Sequence, residues 1–72
     1  LQQLKLLTSS EKIILKQIAE QIPTNSIAEG LGVSVRTIEK HRSNIINKLN
    51  LKNESNSLTS WAILNRNTIL AL

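Results

Sequence analysis

The chain reads as an all-α fold of four helices, with helices 2 and 3 joined as a helix-turn-helix. Three observations carry that reading. Two Gly and one Pro in 72 residues leave little material for the tight turns of an all-β fold. Apolar residues recur at helical spacing in several windows, most clearly at Ile14, Leu15, Ile18, Ala19 and Ile22. Short polar residues suited to helix starts stand just ahead of those windows.

Residues 1–7, LQQLKLL, are expected to be a linker end or a short helix. TSSE follows, with Thr8 three residues ahead of Glu11. That is capping-box spacing: the Thr hydroxyl takes the amide of Glu11, and the Glu carboxylate reaches back. Helix 1 is expected over 9–21, stopped by Pro23. Thr24 is the expected cap of helix 2 over 24–31, with Ile27, Ala28 and Leu31 inward. Gly32 suits the left-handed backbone that closes many helices. Val33 should then plug inward, and Ser34 should cap helix 3 over 35–49.

Helix 3 contains the most unusual stretch. At 100° per residue, Ile38, Ile45 and Leu49 share a narrow apolar sector with His41 and Arg42 at its edges. The opposite sector holds Arg36, Lys40, Ser43 and Asn47, flanked by Glu39 and Asn44. Residues 49–55 read as a connection with Asn53 as a cap. Helix 4 is expected over 54–66 or longer, with Leu58, Trp61, Ala62 and Ile69 on one face and Ile63 and Leu64 off it.

The net charge is +4, and residues 36–52 hold five basic residues (Arg36, Lys40, Arg42, Lys48, Lys52) against Glu39 alone, so this window carries the whole excess. A localised basic patch suits a polyanion, although a few lysines on a helix are more often a solvated face. With no Asp, no Cys, one His and no Gly-rich phosphate loop, few acid–base, nucleophile or metal constellations are available. No enzyme, cofactor or metal is expected. His41 reads as structural, bonding a backbone group or packing under the helix. Trp61, the only aromatic, reads as the largest core residue rather than a stacking platform. No apolar run is long enough to span a bilayer and no signal peptide is legible, so a cytoplasmic protein is expected. A core this small is marginal, and the absence of Met at position 1 suggests a piece of a longer protein.

Small Ala28, the bend at Gly32–Val33 and the cap at Ser34 meet the demands of a helix-turn-helix, though any αα corner has similar needs. Together, LTSSEKIILKQIAE, SIAEGLGVS and TIEKHRSNIINKLNL resemble the LuxR-type (GerE-like) helix-turn-helix domain. That domain is the C-terminal effector half of NarL/FixJ-type response regulators and of quorum-sensing regulators. The likeness covers about residues 6–70 and is most specific from Thr37 to Leu49. It departs from the family pattern at Ser10, at QIPTN (21–25) and at Glu54-Ser55, and the first and last of these changes remove phosphate contacts at the rim.

The resemblance implies a four-helix, usually dimeric transcription regulator over residues 8–72 that binds double-stranded DNA, with a receiver or sensor domain N-terminal. Helix 3 would read the major groove. The base-contact candidates are Arg36, Lys40, Ser43, Asn47 and Glu39; Arg and Lys suit guanine, Asn suits adenine and Glu suits a cytosine amino group. The phosphate-contact candidates are Ser34, Thr37, Arg42, Lys48 and Lys52. Ile63 and Leu64 are candidates for a homodimer contact through helix 4, or for packing on another part of the protein. A contact with RNA polymerase is a further candidate; a membrane is not. Two competing readings stay open: the promoter-reading domain of a sigma factor, and a small helical module that docks a protein partner through helix 4.

Overall fold

A computed structural model describes residues 2–52 and 57–72. A 3₁₀ helix at Gln2–Leu6 leads into α1 (Ser9–Ala19), α2 (Thr24–Leu31), α3 (Val35–Lys48), α4 (Ser57–Leu64) and α5 (Arg66–Leu70). Among the described residues there is no strand, as expected for an all-α domain.

The capping box forms as the spacing predicts. Thr8 Oγ1 accepts from the Glu11 amide at 3.1 Å, and Glu11 Oε1 accepts from the Thr8 amide at 2.9 Å. Two otherwise unpaired amides of the first turn are thereby satisfied. α1 ends at Ala19, two residues earlier than expected. The Gln21 amide bonds Ile18 O and the Ile22 amide bonds Gln17 O, with Gln21 at φ 62°. This paired closure turns the chain through a left-handed residue before Pro23 is reached. The same closure ends α2 at Gly32 (φ 69°) and α3 at Asn50 (φ 57°).

α1 is the hub of the packing, lying against α2, α3, α4 and α5, while α2 crosses α3. The core joins Ile14, Leu15, Ile18 and Ala19 of α1 to Ile27 and Ala28, to Ile38, Ile45 and Leu49, and to Leu58, Ala62 and Ile69. Leu4 and Leu7 belong to the same core.

Several expectations fail locally. Pro23, not Thr24, is the N-cap of α2: its backbone is already extended (φ −62°, ψ 150°), its carbonyl takes the Ile27 amide, and no side chain caps the helix. Leu31 and Val33 are not inward but 41% and 40% exposed, because Ile27 and Ala28 fill the crossing with α3. Trp61 is half-buried at the core's edge rather than its largest member. The expected single last helix is two. At Asn65 the backbone leaves helical values (φ −109°, ψ 23°), and the Asn side chain donates to Trp61 O at 2.9 Å. That side chain competes for the carbonyl of the preceding turn, which bends a helix. The expected cap Asn53 and the pair Glu54-Ser55 lie outside the described residues.

Candidate nucleic-acid interface

α3 is held with one face in and one face out. Ser34 starts it: the Ser34 hydroxyl accepts from the Thr37 amide at 3.1 Å and lies 3.0 Å from the Thr37 hydroxyl. Ile38 and Ile45 are fully buried and Leu49 nearly so, which fixes the helix rotation against α1 and α2. The opposite face is thereby turned out. Arg36, Glu39, Lys40, Ser43, Asn44 and Asn47 are all exposed. Ser34, Arg36, Thr37, Glu39, Lys40 and Ser43 line one open concavity at the start of the helix. No bulky apolar side chain stands among them, and cationic, hydroxyl and amide groups project together from one rod. Such a face can offer hydrogen bonds to base edges and charge to phosphates.

The phosphate-contact candidates differ in their surroundings. Lys52 is exposed, and Ser34 and Thr37 sit at the helix start. Arg42 is half-buried, and its Nη2 donates to Thr59 Oγ1 of α4 at 3.2 Å. Burial pulls the Arg42 guanidinium below its usual pKa, and the charge of Glu39 opposes that. Lys48 Nζ lies 2.6 Å from Glu11 Oε1, and this is the sole ion pair among the described residues. Both ties join residues far apart in sequence, and periodicity carries no signal for them. The capping box marks Glu11, but its second partner lies 37 positions away.

His41 packs as expected and does not bond as the alternative had it. With Ile13, Ile14, Leu31, Val33 and Ile38 it lines a cavity of about 210 Å³ between α1, the turn and α3. Its Nδ1 is buried without a hydrogen-bond partner among the described residues. Ile63 and Leu64 of α4 are 42% and 85% exposed. Among the described residues, no group of three or more His, Cys, Asp or Glu could hold a metal ion. No helix there is long and apolar enough to cross a membrane.

Comparison with known proteins bears on this arrangement. Residues 5–61 match the profile of "Bacterial regulatory proteins, luxR family". The oxygen regulatory protein NreC of Staphylococcus epidermidis is 46% identical over 50 residues, 69% of this chain and 23% of that protein. NreC of Staphylococcus carnosus is 44% identical over 50 residues, with the same coverage of 69% and 23%. The transcriptional regulatory protein YdfI of Bacillus subtilis is 40% identical over 53 residues, 74% of this chain and 25% of that protein. The chain thus spans about a quarter of the length of the curated relatives it matches. No solved structure matches it. With most of its length inside the family profile and its helices in the expected order, the chain belongs to the luxR family of bacterial regulatory proteins as a DNA-binding helix-turn-helix domain.

Proposed function

We propose that the chain is the C-terminal effector part of a two-component response regulator, binding double-stranded DNA sequence-specifically with α3 in the major groove. The observation that carries this is the division of α3: core residues at Ile38, Ile45 and Leu49, and an outward face of Arg36, Lys40, Ser43 and Asn47 with Glu39 beside it. A helix of that width fits the major groove, and those residue types match its donor and acceptor code. Ser34, Thr37 and Lys52 then approach phosphates at the rim. The relatives' printed names, oxygen regulatory protein and transcriptional regulatory protein, agree with control of transcription.

On this reading residues 8–72 form the binding domain, and the segment before it folds onto it through Leu4 and Leu7. A receiver domain supplies the input, and the protein works in the cytoplasm as a binding module rather than an enzyme. Two copies pair through α4, where Leu64 and Ile63 are left uncovered, and so meet two half-sites. RNA polymerase is the partner through which bound protein would act.

Selection of bound duplexes from a random-sequence pool, followed by titration in rising salt, tests the core of this. A shared half-site should emerge, and affinity should fall steeply with salt as counterions are released. Absence of any duplex binding at low salt would overturn the reading.

A further inference from the structure

We propose that Lys48, through its ion pair with Glu11, positions the outward face of α3 and is not a phosphate contact. The inference rests on the DNA-binding reading above.

Lys48 meets a carboxylate that is already fixed. Glu11 is 3% exposed, and its Oε1 accepts both the Thr8 amide at 2.9 Å and the Lys48 ammonium at 2.6 Å. The Thr8 hydroxyl holds the Glu11 backbone in turn. The anchor is therefore the first turn of α1, the helix on which the rest of the domain packs. If Lys48 swung out to a phosphate, it would leave a buried carboxylate without its counter-charge, which is strongly unfavourable. So the ammonium stays with Glu11.

The consequence falls on the neighbouring side chains. α3 has 14 residues and is about 21 Å long. Its start is fixed by the Ser34 cap and the turn from α2, and its middle by Ile38, Ile45 and the Arg42–Thr59 bond. Its last turn is fixed laterally by Lys48. Asn47 is the adjacent residue, and Ser43 lies one turn back. A slack last turn would swing both, and hydrogen bonds to base edges weaken steeply with angle.

A charge argument separates this from the alternative. Glu11→Gln removes a negative charge and frees Lys48, so a phosphate-contact Lys48 predicts equal or tighter DNA binding. A positioning Lys48 predicts weaker binding from the same change.

The test uses the chain itself and a duplex it selects from a random-sequence pool, at a temperature where circular dichroism shows each variant fully folded. Lys48→Gln and Glu11→Gln should each bind roughly ten-fold more weakly, the loss of about one base-edge hydrogen bond. The slope of log affinity against log salt should stay at the parent's value for both. A slope reduced by about 0.9 in Lys48→Gln, with Glu11→Gln binding as well as the parent, would make Lys48 a phosphate contact and overturn the proposal. Parent-like affinity in both folded variants would reduce the pair to a purely structural role and overturn it equally. If Lys48→Gln does not fold, Glu11→Gln decides alone: weaker binding supports the proposal, and equal or tighter binding ends it. A parent that binds no duplex removes the DNA reading and this inference together.

Discussion

The two halves of α3 carry basic residues in different states. Arg36 and Lys40, in the first half, are exposed and make no ion pair among the described residues. Arg42 and Lys48, in the second half, are half-buried and directed at Thr59 and Glu11. All four look alike in a count of charge. The difference teaches that formal charge in a sequence is not the charge a domain offers to a polyanion. A cation can instead be part of the framework that aims its neighbours.

Four changes break or sharpen this contrast, in descending size of effect. Ile38→Ala should abolish it altogether, since both halves depend on one buried seam. It removes a fully buried side chain and should cost about 2–5 kcal/mol of stability, read by urea or thermal unfolding. Lys40→Ala should act on one half only. Affinity for a selected duplex should fall by about 1–3 kcal/mol if Lys40 reads a base, while stability stays within about 0.5 kcal/mol of the parent, as for other exposed sites. A matching loss of stability would show that the first half is framework as well.

Thr8→Ala reaches the second half from its anchor. Loss of the cap should lower stability by about 1 kcal/mol, and DNA affinity should fall with it if the anchor serves α3. The smallest effect is on acid stability. Burial pushes the Glu11 carboxyl up, but hydrogen bonds from Lys48 and Thr8 and the Lys48 charge outweigh that and hold it below its usual 4.5. A carboxyl depressed on folding gives stability that is fully present above the unfolded value and is lost as pH falls through the folded one. The parent's melting temperature should therefore drop as pH passes below about 4.5, and Glu11→Gln should flatten that limb. An unchanged limb in the variant would remove Glu11 as its source.

What the sequence revealed divides along similar lines. Features set by neighbours within a turn were legible: the Thr8–Glu11 box, the Ser34 cap, Gly32 in its left-handed state and the buried face of α3. All follow from spacings of three or four residues or from the chemistry of one residue. Features set by contacts between distant segments were not. Nothing local predicts that Lys48 meets Glu11, or that Leu31 and Val33 stay half-exposed because Ala28 and Ile27 already fill the helix crossing. The break at Asn65 falls between these cases. Its cause is local, a side-chain amide on the Trp61 carbonyl, but an Asn within an apolar helical pattern does not reveal which hydrogen bond it will choose. The outward face of α3 was legible because a rigid helix with three fixed core residues has only one direction left to face.

The three left-handed closures have a consequence for how much sequence change the domain can absorb. Only Gly32 is a residue without a Cβ; Gln21 and Asn50 hold the same backbone with full side chains. Left-handed backbone costs an L-residue about 1–2 kcal/mol, less for Asn, whose short amide tolerates it. Gln21 therefore stores latent stability in the turn between α1 and α2, outside the outward face of α3. A Gly there would release part of it and give the outward face of α3 more room to diverge toward new binding sites before the fold fails.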